Sequence, residues 1–71
     1  MPIINILTWP TDADVKQRLM KEITRVVNKE SGAPLDKISI IFQEIQKDSW
    51  CEAGVIADDL EFSTKSRRTQ Y

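Results

Sequence analysis

The sequence has no histidine, one cysteine (Cys51) and two glycines (Gly32 and Gly54) among 71 residues. Without histidine or a second thiol there is no ligand set for a structural zinc ion. The same absence rules out a histidine-dependent nucleophilic triad and any disulfide within the chain. Two widely spaced glycines cannot make a phosphate-cradling loop. No apolar run approaches the roughly 20 residues that span a bilayer, and the start Met-Pro-Ile-Ile-Asn lacks the basic stretch of a signal peptide. Charge of one sign is also missing: ten basic side chains face eleven acidic ones, for a net charge of −1. Nucleic-acid binders usually carry a strong basic excess. These absences lead us to expect a cytoplasmic protein with no metal, no cofactor, no nucleic-acid partner and no membrane.

What is present is one short domain, residues 1–71, in which 41% of residues are hydrophobic. A chain of this size buries only about 60% of its unfolded surface, which leaves a marginal core. With disulfides and metals excluded, oligomerisation is the remaining route to stability. The basic residues Lys65, Arg67 and Arg68 gather near the C-terminus, and we read them as a solvated tail.

Residues 2–8 are rich in β-branched side chains and end at Trp9-Pro10, the pattern of a strand followed by a break. Thr11 and Asp12 offer oxygens for capping a helix, with Asp12 and Asp14 placing negative charge near its N-terminus. Val15, Leu19, Ile23, Val26 and Val27 fall at helical spacing, and Gly32 followed by Pro34 marks the stop. We expect the helix at about 12–30. A second strand is expected over 38–45. Ile38, Ile40 and Phe42 take one of its faces, and Ser39, Ile41, Gln43 and Ile45 the other. Both strands carry apolar groups on both faces, and one helix covers only one face of a two-stranded sheet. The other face therefore calls for a second copy of the chain. Strand, helix and strand together predict a right-handed crossover with parallel strands. Residues 50–56 are short enough for a hairpin with Gly54 at its turn or at a bulge. From Asp58 onward the chain is polar apart from Leu60, Phe62 and Tyr71. The tail, about 61–71, is expected to be irregular or draped on a neighbour.

Chemistry is sparse. Cys51 has no nearby base in sequence and reads as a packed, inert thiol. Pro2 is the unusual group. A small second residue permits removal of the initiator methionine, which would leave a secondary amine at the end of a strand. An α-amino group titrates near 7.7–8.0, and an apolar pocket lowers an amine's pKa by disfavouring its charged form. Such a base suits proton abstraction next to a carbonyl. Taken alone, Met-Pro is also an ordinary way for a protein to begin.

The pattern around Pro2 changes that weighing. Pro2-Ile3-Ile4-Asn5-Ile6 comes first, then the helix containing Lys16-Gln-Arg-Leu-Met-Lys-Glu-Ile23. Gly32-Ala-Pro-Leu35, the strand Ile38-Ser-Ile-Ile-Phe-Gln-Glu-Ile45 and Lys47-Asp-Ser-Trp50 follow in order. Over about residues 2–56 this arrangement resembles the 4-oxalocrotonate tautomerase family. The resemblance implies an α/β fold: a parallel βαβ tautomerase-like subunit with a short C-terminal hairpin, pairing into a four-stranded sheet and assembling into a homo-oligomer, a dimer or hexamer. It also implies a cofactor-independent isomerase. The N-terminal proline, Pro2, would be the general base for keto–enol or double-bond proton transfer on a small 2-keto or 2-hydroxy-dienoic acid.

Two arginines that family members use for the substrate's carboxylate and carbonyl fall here at or beside Asp12 and at Ser39. Neither replacement can grip a carboxylate bidentately as arginine does. Trp50 keeps the aromatic residue before the hairpin, as a pocket wall or as packing at a subunit interface. Ser39 is either a hydrogen-bond donor to a substrate carbonyl or simple sheet packing. Asp12 is either a second proton carrier or an N-cap. Cations for a carboxylate are available at Lys37, or at Arg67 and Arg68 of another subunit. The alternative function is a weakly active or non-catalytic subunit of a mixed oligomer.

Overall fold

The computed structural model describes residues 1–71. Strand β1 (Ile3–Thr8) is followed by helix α1 (Ala13–Ser31) and, after a 3-10 turn at Leu35–Lys37, by strand β2 (Ser39–Glu44). The two strands are parallel, with Ile3 opposite Ser39 and Thr8 opposite Glu44. Ladder bonds outside the paired residues, Ser39 N–H to the Pro2 carbonyl and Ile45 N–H to the Thr8 carbonyl, close the two ends of the ribbon. Helix α1 stops where Gly32 turns to φ 74° and its N–H reaches the Asn28 carbonyl at 3.0 Å, a left-handed cap that glycine adopts without steric cost.

A second, two-stranded ribbon follows: β3 (Cys51–Glu52) pairs antiparallel with β4 (Val55–Ile56). Its turn places Ala53 at φ 54° and Gly54 at φ 78°. Two successive residues of positive φ are what a two-residue hairpin of matching twist requires. Glycine supplies one of them freely, while alanine holds the other against its steric preference.

The tail is not wholly irregular. Phe62–Lys65 form a one-turn helix, α2, which corrects the expectation for 61–71. Asp59 sets it up by accepting the Glu61 N–H at 2.8 Å. Phe62 then anchors it, with its ring edge-on to Trp9 at 6.0 Å. A single aromatic residue carries no periodicity, so its partner could not be read from sequence.

The faces of the sheet separate cleanly. Ile4, Ile6, Ile40 and Phe42 are half-buried on one face, as are Val15, Met20, Ile23 and Val27 of α1. Leu19 and Val26 stay exposed on the flank of that stripe. On the opposite face Ile3, Leu7 and Ile41 are 57%, 54% and 44% exposed. Only Val55 and Ala57 are buried, at 8% and 5% exposure. The radius of gyration is 16.3 Å, against about 11 Å for a compact chain of this length. The accessible surface of 5633 Å² exceeds by about 1,100 Å² the roughly 4,500 Å² typical of a monomer of this mass. A standard interface takes about 800 Å² from each partner, so a lone chain has a full interface of surface to spare.

Candidate active site

Pro2 lies one residue before β1 and is half-buried. Its carbonyl accepts the Ser39 N–H at 3.0 Å, and its ring fixes its own φ. Both backbone freedoms that could displace the ring are therefore restricted. Ser39 opens β2 beside it and is exposed, with Ile3 as its register partner on the helix-free face. Lys37, also exposed, closes the 3-10 turn leading into β2. Pro2, Ser39 and Lys37 thus share one end of the sheet.

Asp12 and Trp50 belong to the other end. Trp50 stands edge-on to Trp9, just past β1, at 5.8 Å between ring centroids. Its indole N–H donates to Glu52 at 3.1 Å. Asp12 is exposed at the start of α1. A strand of six residues is about 20 Å long, so within one chain neither residue reaches Pro2. Of the four residues singled out from sequence, the structure brings Pro2 and Ser39 together and leaves Asp12 and Trp50 distant.

The expected cap also needs correction. Asp12 stands at the N-cap position but makes no side-chain capping bond. Thr11 turns its hydroxyl back to the Trp9 carbonyl at 3.0 Å. The carboxylate that serves this helix start is Glu44, from the end of β2. It accepts the Thr11 N–H at 2.7 Å and pairs with Lys16. The Lys16 hydrogen bond, and next the Thr11 N–H, hold Glu44 below the usual glutamate pKa. No local spacing could have announced this, because the partners lie 28 and 33 residues away in sequence. Lys16 also sits 5.5 Å from the Phe42 ring centre.

Trp9 was missed as well. Besides Trp50 and Phe62 it faces the Lys47 ammonium at 4.6 Å, a cation–π contact. Its own indole N–H is buried without a partner. Cys51 is exposed and free, not packed, because β3 has only β4 beside it. The tail folds back on the hairpin: Arg68 donates to the Ala53 carbonyl at 3.0 Å and lies 4.2 Å from the Tyr71 ring centre. No group of three or more histidine, cysteine, aspartate or glutamate side chains is placed to hold a metal ion. No helix is long and apolar enough to cross a membrane.

A parallel βαβ unit with a proline at the head of its first strand and a hairpin behind its second defines a class of small tautomerase-like subunits. The chain belongs to the 4-oxalocrotonate tautomerase family. The family model described as "Tautomerase enzyme" matches residues 2–59. A probable tautomerase of Lactiplantibacillus plantarum is 36% identical over 62 residues, covering 86% of this chain and 97% of that protein. The 2-hydroxymuconate tautomerase of Bacillus subtilis is 32% identical over 63 residues, covering 86% and 100%. Among solved structures, the heterohexamer 4-oxalocrotonate tautomerase from Chloroflexus aurantiacus has the same fold. Its TM-score is 0.79 at 20% identity, covering 84% of this chain and 98% of that one.

Proposed function

We propose that the protein is a cofactor-independent tautomerase of the cytoplasm, with the nitrogen of Pro2 as its base once Met1 has been removed. The observation that carries this reading is the Ser39–Pro2 ladder bond, which holds the proline at the sheet end that Ser39 and Lys37 share. Freed of Met1, the nitrogen is a secondary amine. Its lone pair accepts a proton from the substrate, and the resulting ammonium returns one to a different carbon or oxygen. The substrate is isomerised, its atoms are conserved and no oxidant is consumed. Half-burial of the ring disfavours the charged amine and keeps the base ready near neutral pH.

The substrate is a small 2-keto or 2-hydroxy-dienoic acid with one carboxylate. Lys37 meets that carboxylate as a point charge, and Ser39 hydrogen-bonds the carbonyl or enol oxygen. Trp50 and Asp12, about one strand length from Pro2 in their own chain, contribute from a neighbouring copy. Trp50 walls the pocket there, and Asp12 lines its polar side. The working unit is a homo-oligomer, a dimer or hexamer.

A second reading is supported by the residues themselves. With aspartate at position 12 and serine at 39, the chain lacks bidentate cations where the family uses arginine. It would then be a weakly active or non-catalytic partner in a mixed oligomer, as the heterohexamer precedent for this subunit fold illustrates. One experiment separates the two readings: purify the chain alone, establish loss of Met1 by intact mass, and assay the enol of an arylpyruvate. Turnover by the pure homo-oligomer supports the first reading. No turnover without an added family subunit supports the second.

A further inference from the structure

Leu60 is the most exposed large apolar residue in the molecule, at 102%. It stands on the acidic segment Asp58-Asp59-Leu60-Glu61, just beyond the residues matched by the family model. Elsewhere, between α1 and the first half of β2, lies an open groove of about 680 Å³. Its floor is apolar, made by Met20, Leu35, Ile38 and Ile40. Lys21 and Arg25 also line it, and no acidic residue does. One surface is a leucine framed by carboxylates, and the other an apolar slot edged by cations. Glu61 also pairs with Lys65 at 3.3 Å, and Arg25 with Glu22 at 3.2 Å; both pairs are exposed and exchangeable.

The two surfaces cannot meet within one chain. The groove adjoins the Pro2 end of the sheet, where Ile40 pairs with Ile4. Leu60 precedes α2, which is anchored by Phe62 on Trp9 at the opposite end. We propose that Leu60 of one copy seats in the groove of the next, with Asp58 and Glu61 facing Lys21 and Arg25. Different patches meet, so the contact is head-to-tail and builds a closed ring where the rotation permits. Charge complementarity selects the register, and the apolar floor takes the leucine. This inference is independent of the catalytic reading, since none of these residues is assigned to the chemistry.

The test is the mass of the full chain by light scattering at micromolar concentration, with far-UV circular dichroism to establish folding. Leu60→Asp is expected to lower the particle mass at least twofold. The exposed helix-surface pair Lys21→Glu with Arg25→Glu should do the same, and it serves as the deciding variant should Leu60→Asp unfold. Adding Asp58→Lys and Glu61→Lys to that pair should restore the wild-type mass by re-forming the charge match in reverse. A wild-type monomer, unchanged mass in the folded variants, or failure of the fourfold swap to restore assembly would each overturn the proposal.

Discussion

Ser39 holds Pro2 by the backbone: the amide of one donates to the carbonyl of the other across 3.0 Å. The proline is positioned by the first rung of a parallel ladder, which survives substitution of either side chain. Variants at these positions therefore report on chemistry more than on placement.

With Met1 removed, Pro2→Ala leaves a primary amine that is free to rotate. Its kcat/KM should fall by about 10- to 100-fold, since positioned general-base catalysis contributes roughly 10²–10⁴-fold and the alanine amine retains part of it. Protein that retains Met1 has an amide nitrogen at Pro2 and should show no turnover. Intact mass measured beside the arylpyruvate enol assay checks both outcomes. Full activity with Met1 in place would remove Pro2 as the base.

A dicarboxylate dienol should be a poorer substrate than a monocarboxylate enol. Each missing charge-assisted hydrogen bond costs about 1.5–3 kcal/mol, and every 1.36 kcal/mol is a factor of ten in rate. On the proposed reading of positions 12 and 39, two such losses predict a deficit of about 100-fold or more relative to a subunit with arginine at both places. Within this chain, Lys37→Ala should raise KM for the monocarboxylate about 5- to 10-fold while changing kcat little. Equal losses in kcat and kcat/KM would place Lys37 at the transition state instead.

Acid should loosen the junction between β2 and α1. Glu44 is held below its ordinary value near 4.5, first by the Lys16 hydrogen bond and then by the Thr11 N–H. A carboxylate depressed in the folded state contributes stability above its unfolded pKa and loses it as pH falls through the folded one. The Tm of the wild type should therefore drop below about pH 4.5. Glu44→Gln should start lower at neutral pH and fall less steeply. Parallel slopes for the two proteins would show that Glu44 is not the titrating group. On the alkaline side Lys65, raised by Asp59 first and Glu61 next, contributes below its ordinary value and loses that contribution as pH rises through the folded one.

Gly54→Ala should destabilise the protein by about 1–2 kcal/mol, the cost of a β-carbon at positive φ. The new methyl group also points at the Tyr71 hydroxyl, which occupies its space. Truncating the obstacle, Gly54→Ala with Tyr71→Ala, should leave the conformational cost and relieve the collision. Denaturant unfolding of the two variants checks the difference. Ala53→Gly, which frees the neighbouring left-handed residue, should be neutral to stabilising by less than about 1 kcal/mol.

The repeating part of the fold was legible. Ile4, Ile6, Ile40 and Phe42 announce strands by their alternation, Val15, Ile23 and Val27 announce a helix, and Gly32 ends it. Apolar groups at Ile3, Leu7 and Ile41 foretold a face that one helix leaves uncovered. The parts that escaped depend on pairs distant in sequence: Glu44 with Thr11 and Lys16, Phe62 with Trp9, Tyr71 with Gly54. Leu19 and Val26 obey helical spacing yet stay exposed, because periodicity sets a stripe's direction and not its width. For the candidate site, the sequence named Pro2 and Ser39 without showing that they adjoin. Nor could it show that Trp50 and Asp12 belong to the opposite end, since distance along a parallel ribbon has no signature in local pattern.

The free edge of β2 has a consequence for the life of the chain in a cell. Within a single chain, Ser39–Glu44 pair on one side only, and the Ile-Ile-Phe run in that strand is a template for any extended segment that meets it. Partner binding withdraws such chains from the unfolded pool by mass action. Half-life and resistance to proteases should therefore rise with expression level. On the homo-oligomer reading proposed above, a scarce copy is left open to proteases, while an abundant one is sheltered by its own kind.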